Sequence, residues 1–272
     1  MLRIWSWNVN GHAVWDELAA AAIDLALLQE APAPPADWPH TVVPDPAPGW
    51  ATVGWRPGRW SRRTTVAMLT DDVELAPRQH SFVGDLDSNG VPVSRPGTLT
   101  AADIHLDGET VTVVSVYGWW DRSADPRRTP YADAAAHRLL SDLSALITDP
   151  DRHRLIVAGD LNILHRYGEG GDPYWADRYA SVFDRAAGLG LVFVGPQAPN
   201  GRQADPRPAE LPASSRDVPT YHTPAQKAAG ATRQLDFVFT SRAIADRVHV
   251  TALNDPAAWG PSDHCRIAIE LA

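Results

Sequence analysis

Cysteine occurs once in the 272 residues, at Cys265, so no intramolecular disulfide can form and a disulfide-stapled scaffold is excluded. Lysine is equally scarce. Lys227 stands alone, and arginine supplies nearly every other cation. Cations as a class are in deficit, 24 against 33 acidic residues, for a net charge of −9. That balance argues against a protein that grips duplex nucleic acid by bulk electrostatics, which takes clustered cations, but leaves local cationic loops open. No apolar run approaches the roughly 20 residues that span a bilayer. The N-terminal MLRIWSWNVNG has neither the long apolar core nor the small-residue cleavage site of a signal peptide. Lipidation signals and interaction tails are missing too. These absences give the expectation of a soluble, cytoplasmic protein with no membrane span, and they indicate no protein partner. Helical repeats, heptads and composition breaks are also missing, so residues 1–272 read as one domain.

What is present is a set of short strands with a few helices between them. Strands are expected at Leu2–Trp7, Asp24–Gln29, Ala51–Trp55, Thr65–Leu69, Thr98–Leu106, Thr110–Tyr117, Leu155–Ala158, Leu191–Val194, Leu235–Thr240, Val248–Leu253 and Cys265–Leu271. Helical spacing of apolar residues marks Val14–Ile23, Tyr131–Ile147 and Trp175–Ala187. Pro32–Pro48 reads as loop or edge. The stretch from Gly195 to Gly230 is Pro-rich and aperiodic, a length usually reserved for function or disorder. The pattern is that of a sheet-rich α/β sandwich.

Polar residues fall at the ends of these apolar strands: Asn8, Glu30, Tyr117, Asp160 with Asn162, Asp236, and Asp263 with His264. Strand ends present side chains rigidly into one cleft. Carboxylates and amides with one imidazole have the composition of a hard-cation site, where Mg²⁺ takes one or two carboxylates and leaves room for water and phosphate. Zinc-type Cys/His spacing, H-E-x-x-H and the phosphate-binding G-x-x-x-x-G-K-[ST] loop are all missing. Asp236 and Asp263 would be costly to bury unpaired, so a partner is demanded for each.

The segments WNVNG (7–11), LLQE (27–30), SVYG (115–118), GDLN (159–162), LDFVF (235–239) and GPSDHC (260–265) resemble, in order, the motifs of the endonuclease/exonuclease/phosphatase superfamily. That superfamily includes exonuclease III, abasic-site endonucleases, deoxyribonuclease I, neutral sphingomyelinases and inositol polyphosphate 5-phosphatases. The resemblance implies an α+β, four-layered sandwich of two mixed, mainly antiparallel sheets flanked by helices. It implies that Glu30 is the main Mg²⁺ ligand (Mn²⁺ substituting), with Asn8 and Asp263 holding the metal or its waters. Asp160 and Asn162 then align or deprotonate the attacking water, Tyr117 bonds the phosphate, and His264 is oriented by Asp236. Asn10 stands where some abasic-site endonucleases carry Asp, which favours one-metal chemistry.

Substrate-contact candidates follow from the same reading: Asn10, Trp119 beside the Tyr117 motif, Arg122, and His222 in the segment Pro219–Thr223. Trp119-Trp120 could stack on a base or wedge into a duplex. Residues 55–63 form the densest cation–aromatic cluster, and Arg122, Arg127 and Arg128 a second, together suggesting a polyanion groove. The expected function is a Mg²⁺-dependent phosphodiester hydrolase, a DNA nuclease before an RNA one. The alternative is a phosphatase or phosphodiesterase of a nucleotide, sugar phosphate or lipid headgroup.

Overall fold

A computed structural model of the chain describes residues 1–44, 63–81, 90–106, 108–121, 131–149 and 151–272. The first sheet is built from β1 (Leu2–Asn8), β2 (Leu25–Ala31), β3 (Val42–Pro44) and β4 (Arg63–Met68), joined at its other side by β13 (Val248–Leu253) and β14 (Arg266–Leu271). Its order is β13-β14-β1-β2-β4-β3. The second sheet takes β5 (Glu74–Pro77), β8 (Leu99–Leu106), β9 (Glu109–Tyr117), β10 (Leu155–Asp160), β11 (Leu191–Gly195) and β12 (Asp236–Ser241), in the order β11-β12-β10-β9-β8-β5. A short parallel pair, β6 (Gln79–Ser81) with β7 (Gly90–Pro92), stands apart.

Each six-stranded sheet is antiparallel except for one parallel pair. In the first sheet it is β1 with β2, linked through α1 (Trp15–Ala20); in the second it is β9 with β10, linked through α2 (Asp133–Ser144). Parallel neighbours require such a crossover, and the helix it carries covers an outer face of its sheet. α3 (Pro173–Gly188) follows β10 and lies beside α2, with Asp172 capping its first turn through Tyr174 N–H at 2.9 Å.

Three apolar clusters fill the gaps between layers. Leu2, Ile4, Leu25 and Leu27 of the first sheet meet Val113, Ile156, Ala158 and Val238 of the second. On the far side of the second sheet, Val114, Val116, Val157, Phe237 and Phe239 pack under Leu139 and Leu143 of α2 and Val182 and Phe183 of α3. On the far side of the first, Trp7, Leu28 and Ala26 pack with Trp15 and Leu18 of α1. The result is the expected helix–sheet–sheet–helix sandwich, with period-two alternation deciding which cluster each residue joins.

Several elements begin or end at residues other than those expected from sequence. α1 stops at Ala20, three residues early, because Ala21 is already extended (φ −80°, ψ 141°). α2 begins at Asp133 rather than at Tyr131, whose backbone is held by a two-way pairing with Asp121. β10 runs on to include Asp160, which is therefore a strand residue rather than part of a turn. Asp263 lies in the turn before β14 and not on a strand. The strands β5, β6 and β7 were not anticipated: each has three or four residues, with prolines in two of them. Residues 195–230 adopt irregular but well-bonded backbone with one 3₁₀ turn at Ala228–Gly230. The strand expected at Ala51–Trp55, the cationic residues 55–62, and Arg122, Arg127 and Arg128 lie outside the described residues. Arg63 does not belong to any surface groove, being 1% exposed within β4.

Candidate active site

Alternation carries the strand-end residues to one place. In β1 the even-numbered Leu2 and Ile4 face the second sheet, so Asn8 does too. In β10, Ile156 and Ala158 face the first sheet, and Asp160 continues that row; in β12, Val238 does, and so Asp236 does. Ser115 faces inward from β9, where its hydroxyl donates to Leu28 O at 2.7 Å, so Tyr117 lies on the same side. Register then aligns the second-sheet residues, with Asp160 paired to Tyr117 on one side and Asp236 on the other. The cleft is thus the open end of the space between the sheets.

Glu30 is the exception that needs a device. Leu25 and Leu27 face the second sheet, and Ala26 and Leu28 face outward, so strict alternation would send Glu30 outward. The β2–β4 register slips between Leu28 and Ala31, and Glu30 has φ 51°. Such a bulge re-aims a side chain, and Glu30 Oε1 comes within 3.3 Å of Asn8 Nδ2.

Asp160 sits at the junction. Its Oδ2 accepts from Asn8 Nδ2 (2.9 Å) and Asn162 Nδ2 (3.0 Å), and its Oδ1 accepts from Asn162 N–H (2.8 Å). Asn162, with φ 53°, also donates to Gly118 O at 2.9 Å, which ties the exits of β9 and β10 together. His264 Nδ1 donates to Asp236 Oδ2 at 2.8 Å, while its Nε2 stands 3.7 Å from Asp160 Oδ2. Glu30, Asn8, Asp160 and His264 are therefore linked by successive contacts of 3.3, 2.9 and 3.7 Å through shared atoms.

Burial sets the protonation of this network. Asp160 and His264 are 1% and 3% exposed. Burial and the neighbouring Asp236 push Asp160 up to about 7, against the pull of His264 and its own hydrogen bonds. Burial opposes charging of the His264 ring, yet the Asp236 and Asp160 carboxylates outweigh it and raise the imidazole to about 10. His264 is therefore an imidazolium at neutral pH, with both ring N–H groups facing carboxylates.

The remaining candidates among the described residues adjoin this network. Asn10 donates from Nδ2 to Asp263 Oδ1 at 3.1 Å, and its N–H to Asn8 Oδ1 at 3.0 Å. His222 N–H bonds Asp263 O at 3.0 Å, and its ring lies 5.4 Å from Trp259. Tyr117 meets Trp119 edge-on at 6.0 Å. Three residues that sequence reasoning passed over hold the others in place. Thr220 Oγ1 accepts the N–H groups of Leu235 and Asp236, Ser262 Oγ donates to Asn8 O, and Tyr221 lies 4.9 Å ring-to-ring from His264. Thr220 and Tyr221 adjoin the flagged His222, and Ser262 precedes Asp263, so proximity to the motifs was the available signal.

Two groups of donors are candidates for a cation. Asp160, Asp236 and His264 present atoms all within 4.8 Å of one another. Both ring nitrogens of His264 are already directed at carboxylates, so that trio is better described as a proton-sharing group. Glu30 with Asn8 and Asp263 offers oxygen donors only, and Glu30 and Asp263 are partly exposed at the cleft. An oxygen-only, part-open set suits a hard dication that must also admit water and phosphate.

A profile of the Endonuclease/Exonuclease/phosphatase family matches residues 5–264. Solved structures align over the full length. The endonuclease domain of TRAS1, a telomere-specific non-LTR retrotransposon, matches with TM-score 0.64 and 17% identity, covering 100% of this chain and 98% of that one. An AP endonuclease from Archaeoglobus fulgidus matches with TM-score 0.64 and 20% identity, covering 100% and 99%. A 3′ phosphatase, NExo, from Neisseria, bound to a product DNA hairpin, matches with TM-score 0.57 and 19% identity, covering 100% of both chains. No curated protein sequence matches the chain.

Proposed function

The chain belongs to the endonuclease/exonuclease/phosphatase family and is accordingly a phosphoric ester hydrolase; from that premise we propose that it is a Mg²⁺-dependent nuclease that cuts DNA phosphodiesters by in-line attack of water. The observation that carries this reading is the placing of a buried Asp160 carboxylate 3.7 Å from Nε2 of a buried His264 whose Nδ1 Asp236 holds at 2.8 Å.

A base and a cation side by side are what phosphodiester hydrolysis demands. Attack builds negative charge on the non-bridging and leaving oxygens while the water must lose a proton. His264, already protonated, cannot take that proton, so Asp160 does, and a carboxylate raised to near neutrality is a better base than an ordinary one. His264 Nε2–H donates to a phosphoryl oxygen, and Asp236 fixes the ring and its charge. Asn162 aligns the water with Asp160, and Tyr117 O–H donates to the phosphate from the adjoining strand. The P–O bond to the leaving sugar breaks as the water oxygen bonds phosphorus, and the departing alkoxide takes a proton from solvent. Glu30, Asn8 and Asp263 would hold a hard dication, which supplies neutralisation of phosphate charge when bound. Asn10, His222 and Trp119 complete the substrate contacts among the described residues, and Arg122, outside them, is assigned to the same role from sequence. One of the structures named above, the NExo 3′ phosphatase, is described as bound to a product DNA hairpin, and DNA is the substrate this reading assigns.

The test is a substrate panel with Mg²⁺, Mn²⁺ or chelator: single-stranded, duplex and abasic DNA, DNA ending in a 3′ phosphate, RNA, and small phosphomonoesters. Metal-dependent cutting of DNA, lost by a factor of about 10² or more in Glu30→Ala and His264→Ala, is the expected result. Phosphate release from small esters with no strand cut would overturn the nuclease reading in favour of the small-molecule phosphatase.

A further inference from the structure

We propose that an aromatic rim running outward from Tyr117 stacks unpaired bases, so that the substrate of this site is a polynucleotide that is single-stranded or frayed beside the cut. The inference rests on the nuclease reading and adds a substrate class to it.

The rim consists of two ring clusters joined through backbone. Tyr117 meets Trp119 edge-on at 6.0 Å. Trp119 and Trp120 lead into Asp121, whose N–H and C=O pair with those of Tyr131. Tyr131 lies 5.8 Å from Trp175, and Trp175 lies 5.3 Å from Tyr174. Topology explains why the path stays at the catalytic end. The residues following β9 and β10 enter the N-termini of α2 and α3, so Tyr131, Tyr174 and Trp175 stand at the same end of the second sheet as Tyr117 and Asp160. Trp175 also packs on Tyr179 (5.8 Å) and on the core beneath α2 and α3. The rings are therefore rooted rather than loose, which lowers the entropic cost of using them for binding.

Exposure singles the rim out. Among the described residues the large hydrophobic side chains exposed to solvent are Met1, Trp120 at 40% and Tyr174 at 53%. Two of these three belong to the rim.

Charge argues for bases over phosphates as the thing recognised. Among the described residues, the cations along the rim are tied to carboxylates: Arg95 to Asp121 (3.5 Å), Arg138 also to Asp121, Arg178 to Asp133 (2.7 Å) and Arg233 to Glu169 (2.7 Å). Arg95 lies over the Trp119 ring at 4.2 Å, and Arg178 stands 4.9 Å from both Tyr131 and Trp175. Among the described residues, Arg95 and Arg178 therefore brace rings while their charge is met by Asp121 and Asp133. A duplex presents phosphates and keeps its bases stacked inside, whereas a single strand offers a π-face at every nucleotide. A protein carrying −9 that exposes tryptophan and tyrosine beside its cleft suits the second.

The experiment uses the whole protein in chelator, so that nothing is cut. Anisotropy of a fluorescein-labelled oligo(dT) of about a dozen nucleotides is compared with that of a blunt duplex of equal length, at low and at physiological salt. Tighter binding of the strand than of the duplex is expected, with a shallow salt slope. The double variant Trp120→Ala/Tyr174→Ala should weaken strand binding about 5- to 150-fold, and Trp120→Phe/Tyr174→Phe should recover most of it, which separates stacking from damage to the fold. In cleavage assays with metal, the alanine pair should raise KM for the strand far more than it lowers kcat. Strand binding unchanged in the alanine pair would overturn the rim and leave these rings as a contact for a protein. Equal losses on strand and duplex would overturn it as well. Either result in an enzyme that still cuts DNA leaves the nuclease reading standing, while a wild type that cuts no polynucleotide removes the nuclease reading itself.

Discussion

At the scale of single residues, much of the candidate cluster was legible because Asn8, Asp160 and Asp236 are polar residues at the ends of largely apolar strands. Each follows or opens a short run whose other inward positions are apolar or a small hydroxyl residue, Ser6 in β1 and Thr240 in β12. What composition could not report is charge state. His264 reads as an ordinary histidine until two carboxylates are placed around it. The imidazole rises from 6.5 to about 10 in the folded protein, with burial opposing and Asp236 leading the attraction that prevails. A group raised on folding stabilises the fold fully below its unfolded value and loses that contribution as pH climbs through the folded one. Removing the Asp236 carboxylate returns His264 toward its ordinary range. In chelator, the melting temperature of the wild type should therefore exceed that of Asp236→Asn most at about pH 6, and the gap should shrink steadily toward pH 10. A gap that stays constant across this range would mean that Asp236 does not govern the His264 proton. The same variant, still folded and still able to bind cation, should turn over about 10²-fold more slowly.

At the scale of elements, sheet positions came through better than their ends. The core strands β1, β9, β10 and β12 were found by β-branched and apolar runs, whereas β5, β6 and β7, of three or four residues with Pro in β5 and β7, were too short to rise above loop composition. Helix limits were blurred by tertiary pairing, as at Tyr131, which is claimed by Asp121 before α2 can begin. The bulge at Glu30 was invisible as well, since nothing in LLQEA marks which residue takes a positive φ. One element junction bears directly on chemistry. Gly118 follows Tyr117 at the exit of β9, and its N–H donates to Asp160 O at 2.6 Å. A Cβ there would run into the backbone of Leu161, atoms that cannot swing aside as a side chain would. Gly118→Ala should push the exits of β9 and β10 apart, cost about 1–3 kcal/mol of stability, and lower kcat through misplacement of Tyr117 and Asp160. Denaturant unfolding and steady-state kinetics check both. An alanine variant with wild-type stability and kcat would show that this close approach is dispensable.

At the scale of the whole molecule, the cleft draws on both sheets. Asn8 and Glu30 come from the first, Tyr117, Asp160 and Asp236 from the second, and His264 from the turn that leads back into the first. Beneath them Gln29 Nε2 donates to Ser115 Oγ at 3.0 Å and Ser115 donates to Leu28 O, a polar tie between the layers just behind the site. Above that tie the acidic side chains of Glu30, Asp160, Asp236 and Asp263 gather in a chain that is already net negative. Their mutual repulsion opposes closing the two sheets together at this end, and a dication bound at Glu30 would relieve it. Cation binding should thus stabilise the fold as a whole, by RT ln(1 + [L]/Kd), or about 2.7 kcal/mol at a concentration 100-fold above Kd. The expected signature is a Mg²⁺-dependent rise in melting temperature that Glu30→Gln abolishes. It should be accompanied by slower amide exchange at the ends of β10 and β12 as well as β1 and β2, because the layer across the gap is held too. Protection confined to β1 and β2 would mean that the ion decorates one sheet without joining the pair, and the view of the cleft as a shared closure between sheets would fail.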